Sequence, residues 1–161
     1  MRHIERVSLD RENEAWLRGV YPLYLHDLSE YGGDYRLDAS GGWQPNYLDY
    51  WTNPAHPVLV DLIRVDGHFV GFSMVGHHHF PFKHEAIDYK ICEFFVLRRA
   101  RRTGIGCKAA RAIWEDRPGS WELAVLRHNQ PALAFWRAVL ADLPRAEETP
   151  NEHDILFRFT V

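Results

Sequence analysis

Apolar residues recur at three- and four-residue spacing through Leu17, Val20, Tyr21, Tyr24, Leu25 and Leu28, the period of one helix face. Asp10 stands where an N-cap would start this helix, and Pro22 is expected to kink or split it. Further along, the period changes. Val58–Val65 and residues 68–76 are apolar, β-branched runs joined by Asp66-Gly67, a dipeptide that tolerates the positive φ angles of a tight hairpin. Residues 87–97 read as a third strand, followed by a glycine turn, Thr103-Gly104-Ile105-Gly106, and a helix running to about Asp116. A strand over 121–126 comes next. Asn129-Gln130-Pro131 then opens a helix buried along Leu133, Trp136, Val139, Leu140 and Leu143. Alternation over 154–161 predicts a terminal strand.

Between the first helix and the hairpin, Gly32, Gly33, Gly41, Gly42 and Pro45 punctuate a polar, aromatic stretch, with a short helix expected over 46–51. A chain of 161 residues suits one core, and its 46% hydrophobic content is enough to fill it.

A net charge of −3 gives no general basic field for a nucleic acid backbone, but the charge is unevenly spread. Arg98, Arg99, Arg101, Arg102, Lys108 and Arg111 follow one another with no acid between them, whereas the first sixty residues hold nine acids against five bases. A local anion site is implied. Cys92 and Cys107, in a chain with no apolar N-terminal segment, argue for a reducing cytoplasm over a disulfide scaffold. No apolar run approaches the roughly 20 residues that cross a bilayer, so no membrane partner is expected.

The turn after the third strand is suited to that anion. Glycines let a backbone approach a phosphate closely, and the unpaired N–H groups and dipole of the following helix favour negative charge. Arg101, Arg102 and Lys108 are placed to add charge-assisted bonds.

These residues resemble the GNAT superfamily of N-acetyltransferases, whose cofactor motif is matched by Arg101, Gly104 and Gly106 after the strand EFFVLRRA. A second family motif is matched downstream in NQPALAFW by Asn129, Ala132, Phe135 and Trp136. The resemblance implies a single-domain α/β fold, with a central, mostly antiparallel mixed sheet of about six or seven strands flanked by helices. It places an acceptor-side helical region at about 10–52 and a cofactor-binding core at about 58–161. It also implies acetyl-CoA as co-substrate. Arg101, Arg102, Thr103, Gly104, Ile105 and Gly106 would hold the diphosphate. The backbone of Val96 and Leu97, with Asn129 and Phe135, would line the pantetheine arm where two strands part at Val96. The expected reaction is acetyl transfer to a primary amine of a small molecule or peptide by direct attack in a ternary complex, and a homodimer is compatible with the family.

Glu93 is the candidate base. It is the one carboxylate in the otherwise apolar run Ile91–Leu97, and partial burial should raise its pKa. Many family members carry a tyrosine where this chain has Trp136, and an indole cannot protonate a leaving thiolate. Tyr21, Tyr24, Tyr31 or Tyr89 would serve instead, or the thiolate leaves unassisted. A non-catalytic acyl-CoA sensor with the same fold is the alternative. The N-terminal third interleaves aromatic residues with Asp27, Glu30, Asp34, Asp38 and Asp49, a composition able to receive a cationic amine.

His77, His78, His79 and His84 invite a zinc reading, but neighbours on a strand face opposite ways and no HExxH spacing occurs, so no metal is expected. GIGCKA formally matches a dinucleotide fingerprint, yet it follows an antiparallel hairpin and not the opening strand of a parallel βαβ unit. Neither cysteine has a neighbourhood that signals a thiol nucleophile.

Overall fold

The computed structural model describes residues 3–32 and 34–161; the expected turn glycine Gly33 lies outside them. The Asp-Gly dipeptide does what its chemistry allows. Asp66 and Gly67 take φ of 48° and 84°, and the chain reverses between β4 (Val58–Val65) and β5 (His68–His77) with Val65 opposite His68. β5 is buried along nearly its whole length because it is covered on both faces.

β6 (Tyr89–Val96) pairs antiparallel with the far side of β5, and β1 (Ile4–Ser8) pairs antiparallel with β4. β7 (Ser120–Leu126) then joins β6 in parallel, β9 (Asp154–Thr160) pairs with β7, and β8 (Glu147–Pro150) closes the edge. The sheet therefore has seven strands in the order β1-β4-β5-β6-β7-β9-β8. A two-stranded ribbon, β2 (Arg36–Leu37) with β3 (Trp43–Gln44), stands apart in the glycine-rich stretch.

Helices cover both faces. α1 (Glu14–Leu28) and α2 (Leu48–Thr52) set Leu17, Tyr21, Leu25 and Trp51 against Leu62, Phe72, Met74 and Phe95. α3 (Ile105–Ala112) and α4 (Gln130–Leu140) pack Ala110, Leu133, Trp136 and Val139 against Val75, Ile91, Leu123 and Phe157. Met74 and Val75 serve opposite cores, as strand alternation requires. Among the described residues, no helix is long and apolar enough to cross a membrane.

Several expectations need adjustment. α1 runs unbroken through Pro22. Asp10 does not cap α1: its Oδ1 accepts from the N–H groups of Glu12 and Asn13, shaping the turn ahead of the helix. α3 ends at Ala112, short of Asp116, and Ile113 and Trp114 remain buried in the turn that follows. β6 starts at Tyr89, two residues later than expected.

Candidate functional site

The parallel ladder between β6 and β7 is short. It pairs Tyr89 with Trp121, Lys90 with Glu122 and Ile91 with Leu123, and then the strands part. The separation therefore starts after Ile91, not at Val96. Its cause lies on the other side of β6, where Val75 faces Ile91 and Met74 faces Glu93, leaving Cys92 unpaired in a bulge. An extra residue bends its strand and re-aims its neighbours. Phe94, stacked on Phe135 at 5.5 Å and met edge-on by Trp136 at 5.4 Å, fills the inner end of the gap.

A cavity of about 460 Å³ occupies the opening, between β6, β7, the start of α4 and the N-terminal segments. Cys92, Glu93 and Phe94 line it from β6, Asn129, Ala132 and Trp136 from α4 and its cap, and Tyr24, Tyr35 and Tyr47 from the N-terminal third. Asn129 caps α4 by accepting from the Ala132 N–H at 3.1 Å. Phe135 packs behind this wall.

Main-chain groups on the open edge of β6 follow from the register. Leu97 N–H donates to Val70 C=O at 2.7 Å and Leu97 C=O accepts from Ala100 N–H at 2.8 Å, so neither is free. Antiparallel alternation then turns the polar groups of Phe94 and Val96 toward the gap. The β6 edge that faces the gap is thus that of Phe94 and Val96, where Val96 and Leu97 were expected, and the Val96 carbonyl already accepts from Arg101 Nε at 2.7 Å.

Beyond β6, Arg102 and Gly104 adopt φ of 61° and 81°, and this double left-handed turn feeds directly into α3. Thr103 Oγ1 closes the turn on Ala100 C=O at 2.7 Å, while Ile105 is buried beside Val96 and Ala109. Among the described residues, the N–H groups of Ile105, Gly106 and Cys107 have no acceptor, the usual state of a helix start. A Cβ on Gly106 would come within 3.1 Å of the Phe135 ring. Arg102 and Lys108 are exposed at this end. Arg101 is engaged within the fold: it holds Asp27 Oδ2 at 2.6 Å and lies over the Phe95 ring at 5.4 Å. Burial alone would raise the Asp27 carboxyl, but hydrogen bonds from Arg101 and Arg98 outweigh it and keep Asp27 below its usual value.

At the other end of the cleft, burial pushes Glu93 up to about 7, against the Tyr24 hydrogen bond that pulls it down. Tyr24 donates its O–H to Glu93 Oε2, and its own pKa is raised well above the usual value, first by burial and then by the Glu93 charge. Of the four tyrosines considered from sequence, Tyr24 lines the cleft. Tyr21 is enclosed in the core, Tyr31 lies past the end of α1, and Tyr89 stacks on Trp121 at 4.4 Å. Burial also pushes Cys92 up to about 12, so its thiol stays protonated and is a poor nucleophile. Sequence reasoning missed Cys92 and Phe94 as lining groups, along with Tyr35 and Tyr47 as specific members of the wall. Among the described residues, no group of three or more His, Cys, Asp or Glu is placed to hold a metal ion.

The acetyltransferase (GNAT) family model matches residues 15–140. The chain belongs to the GNAT family. An acetyltransferase from Thermus thermophilus shares this GNAT fold with a TM-score of 0.70 at 13% identity, over 98% of this chain and 97% of that one. Naa50 of Arabidopsis thaliana, in complex with the bisubstrate analogue CoA-Ac-MVNAL, gives 0.60 at 12%, over 98% and 99%. The PaiA N-acetyltransferase of Thermoplasma acidophilum, in complex with coenzyme A, gives 0.59 at 14%, over 99% of both chains. No curated protein matches the chain in sequence. At such identities the likeness speaks to the GNAT fold alone.

Proposed function

We propose that this protein transfers an acetyl group from acetyl-CoA to a primary amine, with both substrates bound together. The observation that carries the reading is Glu93, a partly buried carboxyl with a pKa near 7, facing the gap between β6 and β7 and hydrogen-bonded by Tyr24. The bound coenzyme A and CoA-linked analogue in two fold neighbours support a CoA thioester as donor.

The residues present fit that donor. The free N–H groups at the start of α3 and the side chains of Arg102 and Lys108 suit its diphosphate, and the open edge of β6 at Phe94 and Val96 suits its amide-bearing arm. The thioester supplies an activated acetyl group and a thiolate leaving group.

An ammonium that becomes an amide loses two hydrogens: one ends on the thiol and the other in solvent. Glu93 takes the first as its ionised form. Once protonated, Glu93 can reverse its bond and donate to Tyr24 Oη, which frees the Tyr24 O–H for the departing sulfur. Trp136 cannot supply that proton, and this favours a second reading, a CoA-binding sensor without turnover. Release of CoA from acetyl-CoA, tested against a panel of amines, separates the two. Initial rates that give intersecting double-reciprocal lines support the ternary complex, and CoA binding without release from any amine rejects the enzyme reading.

A further inference from the structure

Charge pairing across the molecule follows a rule with a local exception. Among the described residues, seven side-chain carboxylates are buried or partly buried: Glu5, Glu14, Asp27, Asp61, Glu93, Glu122 and Asp154. Five of them hold an arginine at 2.5 to 3.3 Å, namely Glu5 with Arg64, Glu14 with Arg18, Asp27 with Arg101, Asp61 with Arg117 and Glu122 with Arg158. The two without an ion pair among the described residues are Glu93 and Asp154, and both line the cleft.

A carboxylate withdrawn from water without a cation is costly, and a fold that pairs such groups elsewhere leaves the cleft pair for something that arrives. The rest of the wall is consistent with this. Among the described residues, no lysine, arginine or histidine lines the cavity, Asp34 adds a third carboxylate, and Tyr24, Tyr35 and Tyr47 bring to the wall aromatic rings of the kind that attract cations. Burial first, and the Glu93 charge second, push Tyr35 up to about 12, so this hydroxyl stays neutral and leaves the sign of the site unchanged. Among the described residues, Asp154 makes no side-chain hydrogen bond, although its backbone N–H is held by Asn151 Oδ1 at 2.7 Å. Its backbone is therefore anchored, and its carboxylate has no ion-pair partner among the described residues.

We propose that the acceptor is a small amine bearing a second positive charge and no negative one, with Glu93 facing the ammonium that reacts and Asp154 holding the other. This rests on the acetyl-transfer reading of the cleft. A monoamine would leave Asp154 unpaired, and an amino acid would bring a carboxylate against a wall already negative, so both are selected against.

The test compares putrescine, n-butylamine and γ-aminobutyrate, which share a four-carbon chain, on the intact protein and on Asp154→Asn. Two readouts are needed: CoA release from acetyl-CoA, and calorimetric binding of each amine without any thioester present. Putrescine should exceed n-butylamine by at least about tenfold in both kcat/KM and affinity, with γ-aminobutyrate weakest. Asp154→Asn should bring the putrescine to n-butylamine ratio within about threefold and narrow the gap to γ-aminobutyrate, and added salt should shrink the wild-type ratio. Equal handling of putrescine and n-butylamine with normal CoA release overturns the dication assignment and leaves acetyl transfer standing. Asp154-dependent binding of putrescine with no CoA release from any amine overturns acetyl transfer and leaves the dication site standing. A ratio that Asp154→Asn does not change removes Asp154 from the role.

Discussion

Tyr24 of α1 donates its hydroxyl hydrogen to Oε2 of Glu93 on β6, joining residues 69 positions apart across the cleft. The first helix and the bulged strand thus meet at one titratable carboxyl, and the pair has two settings. With Glu93 ionised, Tyr24 is its donor; with Glu93 protonated, the donor and acceptor can exchange.

Removing the Tyr24 hydroxyl tests that exchange. Tyr24→Phe leaves Glu93 to take the amine proton but removes the donor proposed for the thiolate, so kcat should fall by about 10- to 100-fold. Acetyl thioesters of more acidic thiols, which leave without a proton, should restore most of the loss. Equal losses for all thioesters would show that Tyr24 acts by packing alone.

Glu93 also leaves a mark on stability. The fold raises its carboxyl from 4.5 to about 7, so folding favours the protonated form. The stability this gives is complete below about pH 4.5 and is lost as pH climbs to about 7, an effect of roughly 3 kcal/mol at about 1.4 kcal/mol per pH unit. Glu93→Gln has no charge to bury. It should therefore unfold at higher urea than the parent protein at pH 8, with the difference shrinking toward pH 4.5. A variant less stable at pH 8 would contradict the buried, raised carboxyl.

Coenzyme A binding should depend on the left-handed turn and the close packing behind it. Gly104 has φ of 81°, and a Cβ at Gly106 would meet Phe135 at 3.1 Å. Gly104→Asp adds both backbone strain and a negative charge beside the N–H groups proposed to hold the diphosphate. CoA affinity by calorimetry should drop at least about tenfold, with Gly106→Ala showing a smaller loss as the Phe135 ring shifts. Unchanged affinity in Gly104→Asp would place the diphosphate elsewhere.

Much of this was legible in the chain because the signals were local. Asp66-Gly67 marked its hairpin, the glycine spacing at 104 and 106 marked the α3 turn, and Glu93 stood out as one acid in an apolar strand. What was not legible depends on distant partners. The bulge at Cys92 exists only in the pairing of β6 with β5, so the strand's own sequence could not show where β6 and β7 part. Arg101 carries a motif position, yet its guanidinium is held by Asp27, 74 residues earlier. β8 is exposed at every position and has no buried face to reveal it. Tyr35 and Tyr47 reach the cleft because an irregular segment folds back, and no periodicity announces that.

The pH dependence of kcat/KM for CoA release, measured in parallel for the wild type and Glu93→Gln, tests the central claim most directly. In the wild type the rate should rise with pH through about 7 as the Glu93 carboxyl loses its proton. Glu93→Gln should be slower by about 10²-fold or more at pH 7 and should approach the wild type only where the amine itself is deprotonated, near pH 10. A variant that keeps both the wild-type rate and the wild-type inflection would contradict the account.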